Sequence, residues 1–197
     1  MFFFNFFWNY VGLYYKMIDL YIFFPMTQKK ILMVIANSGF QDHEFGISFQ
    51  VFHDAWIDVT VAAGKKWECV WVFGSKTVAD VDILLADASK YDMVVFIGGG
   101  WAYTQYLHDH FYLKLARNAK KIWAICIAPM IVSESCVFNG KTVTWWDQWW
   151  LQQRFVESNG AFWSDEPVVV CGNIVTWNWP DAAEEFAKKC LVFVNNL

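Results

Sequence analysis

Four short apolar segments, each bounded by polar or turn residues, constrain the fold of this chain more than any other feature. They are Lys30–Ala36 (KILMVIA), Ile57–Ala63 (IDVTVAA), Tyr91–Ile97 (YDMVVFI) and Lys121–Ile125 (KIWAI). Such short, almost continuously apolar runs are typical of strands buried on both faces of a sheet. Because segments with helical character lie between them, the sequence predicts an α/β fold with a mostly parallel sheet covered by helices on both sides.

The helical segments have their own signals. Glu44–Ala55 places Phe45, Phe49 and Phe52 on one face of a helix. We predict further helices at 103–118, 127–135 and 181–194. The segment Val168–Trp177 has the pattern of a β-hairpin with its turn at Cys171-Gly172-Asn173.

Length, charge and cysteine content narrow the class of protein. The chain has 197 residues and a net charge of −4, so nucleic acid is not expected as a partner. Its five cysteines include no Cys-x-x-Cys pair, and we therefore expect no disulfide framework, no metal and a reducing, cytoplasmic location. Since no linker or repeat divides residues 26–197, we predict a single domain there.

Residues 1–25 are almost continuously aromatic and aliphatic. A transmembrane anchor needs about 20 apolar residues, but polar and charged residues interrupt this run. A signal peptide needs an early positive charge and a small-residue cleavage site, whereas the first basic residue is Lys16. We favour a third interpretation, an over-extended start before a native Met26. No membrane partner is then expected unless residues 1–25 are a real anchor.

Cys126 directly follows the last of the four apolar segments and precedes a predicted helix. Such a residue occupies a sharp elbow at the carboxyl edge of the sheet, where open α/β sheets bind ligands. The helix N-terminus supplies unpaired N–H groups and a positive dipole end, which favour the thiolate. We therefore predict that Cys126 is a nucleophile. The remaining cysteines are expected to be buried and inert, namely Cys69, Cys136, Cys171 and Cys190.

Gly98-Gly99-Gly100 follows the buried segment that precedes Cys126 in the chain. Glycine lets the backbone approach a ligand closely, so the N–H groups of Gly99 and Ile127 are candidates to hold a developing oxyanion, with Gly98 beside them. A glycine run alone is also typical of an ordinary tight turn, and this prediction depends on the neighbouring elbow.

Glu44 stands at the start of the first predicted helix, where it could simply stabilise the helix dipole. The alternative is a carboxylate that points across the carboxyl edge of the sheet toward Cys126, and spacing alone does not decide between the two. His43 is the histidine that adjoins this position, and we regard it as a possible accessory group, although a lone histidine is more often structural.

Residues 30–194 resemble the ThiJ/PfpI family. The matching stretches are Phe-Gln-Asp-His-Glu at 40–44, Ile-Gly-Gly at 97–99, Ala-Ile-Cys-Ile-Ala-Pro at 124–129, Pro-Val-Val-Val-Cys-Gly-Asn-Ile-Val-Thr at 167–176 and Pro-Asp-Ala-Ala-Glu-Glu-Phe at 180–186. The resemblance implies a flavodoxin-like three-layer sandwich with a nucleophile elbow, usually a homodimer. It also implies Cys126 as nucleophile, Glu44 as its carboxylate partner, and Gly99 and Ile127 as oxyanion donors.

The function that the resemblance implies is glyoxalase III or deglycase chemistry on small aldehydes or glycated substrates, without a cofactor. In this chemistry Cys126 forms a hemithioacetal and Glu44 acts as acid and base. A non-enzymatic redox-sensing stress protein or chaperone is the alternative. A cysteine peptidase or amidase is a weaker one, because Ile127 and Trp145 occupy positions where family members place histidine.

Several of the 13 tryptophans stand where glycine would be expected. Trp56 lies just after a predicted helix, at a position that favours the left-handed conformation. The others are Trp67, Trp71, Trp101, Trp177 and Trp179. We hypothesise that many of these codons are UGA, translated here as Trp but read as Gly by the source organism; a tryptophan-rich core is the alternative. We expect positive φ at Trp56 and at one or more of Trp67, Trp71, Trp177 and Trp179.

Overall fold

The computed structural model describes residues 28–74, 76–147, 151–178, 189 and 191–193. The strands within these ranges are β1 (Lys30–Val34), β2 (Ser38–Phe40), β3 (Asp58–Ala63), β4 (Glu68–Trp71), β5 (Lys76–Val78), β6 (Val81–Asp82), β7 (Met93–Phe96), β8 (Ile122–Ile125), β9 (Thr142–Val143), β10 (Phe162–Trp163), β11 (Val168–Cys171) and β12 (Ile174–Trp177). The helices are α1 (Asp42–Asp54), α2 (Gly100–Tyr106), α3 (His110–Asn118), α4 (Ala128–Ser133) and α5 (Leu151–Ser158).

The central sheet has the strand order β11-β12-β8-β7-β1-β3-β6. Neighbouring strands are parallel except for β11 and β12, which form the predicted antiparallel hairpin at one edge. Every residue of β7 and β8 is buried, because helices cover both faces of the sheet. The predicted α/β fold with a mostly parallel sheet is confirmed, and the carboxyl ends of β1, β7, β8 and β12 meet at one edge.

The predicted helix 103–118 is wrong in one respect, because the chain forms two helices there. Asp109 accepts a hydrogen bond from the backbone N–H of Tyr112 at 2.8 Å and so caps α3 at its N-terminus. His108, just before this cap, has a φ of 64°, a left-handed conformation that ends α2. The predicted helix 181–194 falls mostly outside the described residues; 189 and 191–193 are helical.

The tryptophan prediction is confirmed at Trp56, which has a φ of 58° and a side chain that is 85% exposed. None of Trp67, Trp71 and Trp177 adopts the left-handed conformation, so the prediction for one or more of the four remaining positions now depends on Trp179. Trp179 lies outside the described residues. The backbone therefore favours glycine at Trp56 but does not require it at those three positions.

Two further predictions concern the other cysteines and residues 1–25. Cys69 is buried as expected, but Cys136 is exposed and Cys171, on the edge strand β11, is partly exposed; Cys190 lies outside the described residues. The predictions for residues 1–25 also lie outside them. Within the part of the chain that is described, no helix is long and apolar enough to cross a membrane.

Candidate active site

Cys126 occupies the elbow between β8 and α4, and its φ of 61° is in the left-handed region. This conformation is strained for a residue with a side chain and persists only where the surroundings fix it. Two hydrogen bonds fix the backbone of Cys126 in this conformation. The Cys126 N–H donates to the carbonyl of Trp177 at 2.8 Å, and its carbonyl accepts from the Trp146 N–H at 2.9 Å.

Glu44 lies in the first turn of α1 and is fully buried. One carboxyl oxygen, Oε2, accepts a hydrogen bond from the backbone N–H of Gly98 at 2.9 Å. The carboxyl group is also hydrogen-bonded to the Cys126 thiol. The structure therefore brings together Glu44 and Cys126, two residues that are far apart in the sequence.

The loop after β7 can approach this pair closely because it consists of glycine. A Cβ added to Gly98 would lie 2.9 Å from the Cys126 Cβ and 3.0 Å from Glu44 Oε2. Gly99 has a φ of 108°, and a Cβ there would lie 2.6 Å from the carbonyl oxygen of Gly39. Any larger residue at either position would displace the loop from the site.

Backbone donors surround the sulfur as well. The N–H groups of Gly99 and Ile127 are both hydrogen-bonded to the Cys126 side chain. Ile127 is itself buried at the N-terminus of α4. The residues predicted from the sequence as carboxylate and oxyanion donors, Glu44, Gly99 and Ile127, therefore all contact the sulfur of the predicted nucleophile, Cys126.

The electrostatics of the site are dominated by burial. Removal from water raises the pKa of Glu44 from its ordinary value of 4.5 to about 8, against the opposing effect of the hydrogen bonds from Gly98 and Cys126. Burial also raises the pKa of the Cys126 thiol well above its ordinary value, and the nearby Glu44 charge adds to this. The two groups therefore both hold their protons at neutral pH.

This protonation state departs from the thiolate expected at a helix N-terminus. The helix α4 has only six residues, and the lowering of the Cys126 pKa by the N–H groups of Ile127 and Gly99 is smaller than the effect of burial. The thiol is nevertheless partly accessible. A thiolate forms here only after the Glu44–Cys126 pair has lost its first proton. Because the two groups are coupled, the pKa of that first loss is a property of the pair and not of either residue alone.

The other predicted accessory, His43, is exposed, and its side chain forms no hydrogen bond or ion pair with any described residue. Trp145, at the family's second histidine position, is a buried core residue. Sequence reasoning missed the contributions of Gln41, whose N–H donates to the Gly98 carbonyl at 3.3 Å, and of the backbones of Trp146 and Trp177. Backbone contacts carry no residue-type signal, so no sequence pattern could have revealed them.

A sequence model of the DJ-1/PfpI family matches residues 29–192. The chain belongs to this family. Protein dj-1beta of Drosophila melanogaster is 32% identical over 170 residues, which cover 81% of this chain and 87% of the relative. An uncharacterized protein of Methanocaldococcus jannaschii is 30% identical over 171 residues, or 84% of this chain and 82% of the relative.

Solved structures agree with this assignment. A ThiJ/PfpI domain protein from Brachyspira murdochii superimposes with a TM-score of 0.79 at 27% identity, covering 86% of this DJ-1/PfpI chain and 98% of that one. Within the described residues, no cluster of three or more His, Cys, Asp or Glu side chains is arranged to hold a metal ion.

Proposed function

We propose that this DJ-1/PfpI protein converts small α-oxoaldehydes into 2-hydroxy acids, with Cys126 as nucleophile and Glu44 as general acid and base. The observation that carries the proposal is the hydrogen-bonded pair of Cys126 and the fully buried Glu44, whose pKa is about 8. A proton-transfer group works best when its pKa lies near the operating pH, and burial brings this carboxyl group into that range.

The first step forms a carbon–sulfur bond. Once the pair has lost one proton, the remaining proton is shared between Glu44 and Cys126. With the proton on Glu44, the sulfur is a thiolate that accepts hydrogen bonds from the carboxylic acid and from the N–H groups of Gly99 and Ile127. The thiolate attacks the aldehyde carbon, and the carbonyl oxygen takes the Glu44 proton. The products are a hemithioacetal and a Glu44 carboxylate.

The second step moves hydrogen between the two carbons of the substrate. The Glu44 carboxylate removes the proton from the carbon bonded to sulfur, which gives an enediolate, and returns it to the neighbouring carbon, while the hydroxyl proton on the first carbon passes to the oxygen on the second. The result is a thioester of a 2-hydroxy acid on Cys126. Water then cleaves the thioester, which releases the acid and regenerates the thiol. In this scheme the backbone donors Gly99 and Ile127 stabilise negative charge on the sulfur and on the oxygen beside it.

Methylglyoxal is the simplest test substrate. We expect the wild type to produce lactate, and Cys126→Ala to produce none above the uncatalysed rate. The matched control is Cys136→Ala, which removes an exposed thiol in another part of the fold and should leave the rate unchanged. Equal rates in the wild type and Cys126→Ala would disprove the proposal.

A redox-sensing role is the second candidate, supported by the partial accessibility of Cys126 and the donors around its sulfur. Oxidation to a sulfinic acid would place new oxygens next to Gly99, Ile127 and the protonated Glu44. If the untreated wild type does not turn over methylglyoxal and peroxide selectively oxidises Cys126, the redox-sensing role is favoured over the enzymatic one.

Peptidase chemistry has no comparable support. A cysteine peptidase pairs its thiol with a histidine, whereas the side chain of His43 is exposed and unbonded among the described residues. His53 and His108 pair instead with Asp54 and Glu134.

A further inference from the structure

A groove of about 460 Å³ lies beside the candidate active site. Gly100 lines the groove, and this residue directly follows Gly99, whose N–H group contacts the Cys126 sulfur. Since consecutive Cα atoms are about 3.8 Å apart, the groove begins within a few ångströms of the backbone that surrounds the nucleophile. A molecule bound covalently to Cys126 could therefore extend into it.

The walls of the groove are aromatic and aliphatic. Trp71 and Trp101 line the groove together with Val70 and Val72. Among the described residues that line the groove, none carries a charged side chain, and Ser38 contributes the only side-chain hydroxyl. Such a surface favours an uncharged, apolar ligand.

The two indoles are held differently. Trp71 packs against Phe40 and Phe45, with ring centroids 5.7 Å apart in both cases, so its position is fixed by the core. Trp101 lies directly over Gly39, where an added Cβ would be 1.9 Å from its Cδ1 atom. Its side chain is nevertheless 60% exposed, which leaves a large flat surface that a ligand ring could cover.

We propose that this groove binds a planar aromatic group attached to the reactive carbonyl of the substrate. This inference rests on the proposed function, and it identifies the preferred substrates as aryl α-oxoaldehydes. A methyl group would leave most of the groove unfilled, whereas an aromatic ring would stack on Trp101 and contact Trp71. Stacked aromatic rings attract each other beyond the effect of area burial, so with burial the expected preference is about tenfold.

The catalytic test compares kcat/KM for phenylglyoxal and methylglyoxal. We expect their ratio to fall about tenfold in Trp101→Ala. Trp67→Ala, which removes an equally bulky exposed indole outside the groove, should keep the wild-type ratio. An identical ratio in the wild type and Trp101→Ala would overturn the inference even if both aldehydes are turned over.

A binding test separates this inference from the proposed chemistry. Acetophenone, which has the aromatic ketone but no aldehyde, is titrated into Cys126→Ser and into the Cys126→Ser, Trp101→Ala double variant by ligand-observed NMR. Binding that depends on Trp101 supports the groove even if the wild type turns over no aldehyde, in which case the proposed function alone fails.

Three results would overturn the groove as an aromatic site. The first is equal or absent acetophenone binding in the two variants. The second is a change of oligomeric state in Trp101→Ala without any effect on acetophenone, since the groove would then be an interface between copies of this chain. The third is a UGA codon at Trp71 or Trp101 that the source organism reads as glycine, because this would remove an indole on which the aromatic ring is proposed to pack.

Discussion

Replacing Glu44 by glutamine should stabilise the protein at neutral and alkaline pH but not at acidic pH. The protonated carboxyl group and the amide have nearly the same shape, and the amide oxygen can still accept the hydrogen bond from Gly98. The difference between the two side chains is that only glutamate can ionise. In the folded state it does so against the desolvation that raises its pKa to about 8.

The magnitude follows from the two pKa values. In the unfolded chain Glu44 loses its proton near its ordinary pKa of 4.5, whereas in the folded chain it keeps the proton until about pH 8. The folded state therefore binds more protons across this window, and its stability falls as the pH rises. At about 1.4 kcal/mol per pKa unit, the loss is about 3 kcal/mol at pH 7 and about 5 kcal/mol above pH 9.

The assay is urea unfolding of the wild type and Glu44→Gln at a series of pH values between 4 and 9. We expect the two free energies of unfolding to agree near pH 4 and to diverge steadily, with the variant more stable by about 3 kcal/mol at pH 7. Glu68→Gln, which changes an exposed side chain paired with Lys76, should stay within about 0.5 kcal/mol of the wild type. A difference between the wild type and Glu44→Gln that does not change with pH would show that burial does not raise the Glu44 pKa in the folded protein.

Three further predictions follow from the site and the sequence. The rate of Cys126 alkylation by iodoacetamide should stay low at neutral pH and rise only at alkaline pH, because burial and the Glu44 charge raise the thiol pKa well above its ordinary value; in Glu44→Gln, which lacks that charge, the rise should move to lower pH, and a plateau already reached at pH 6 in the wild type would contradict the assigned protonation. Trp56→Gly should relieve about 1–2 kcal/mol of backbone strain and raise the Tm by about 2–8 °C, whereas Trp67→Gly should not; calorimetry of both variants tests this, and an unchanged Tm for Trp56→Gly would show that the indole is tolerated. A chain that starts at Met26 should remain soluble and unfold cooperatively in urea, and insoluble protein would show that residues 1–25 are needed.

The sheet could be predicted from the sequence because its strands are buried on both faces. Short continuous apolar runs such as those of β1 and β7 are compatible with few structures other than a buried strand. The cap at Asp109, which splits the predicted helix 103–118, was harder to foresee, because it depends on competition between helical continuity and one side-chain hydrogen bond. The small sheet of β2, β4 and β5 lacks a buried periodic pattern and gave no signal.

The site was predicted as a set of residues but not as an electrostatic environment. The elbow at Cys126 follows from its place between strand and helix, and the family resemblance supplied Glu44. The protonation state could not be predicted, because it depends on how completely the fold removes both groups from water. Local features such as a helix N-terminus favour the thiolate, but burial has the larger effect at Cys126.

The central claim is that Cys126 and Glu44 act on the same substrate carbon in succession. The most direct measurement is NMR of methylglyoxal labelled with carbon-13 at the aldehyde position, mixed with wild type, Cys126→Ala and Glu44→Gln. We expect a lactate carboxyl signal in the wild type, an enzyme-bound hemithioacetal that persists in Glu44→Gln, and neither signal in Cys126→Ala. Formation of lactate by Glu44→Gln or Cys126→Ala at the wild-type rate would contradict the central claim.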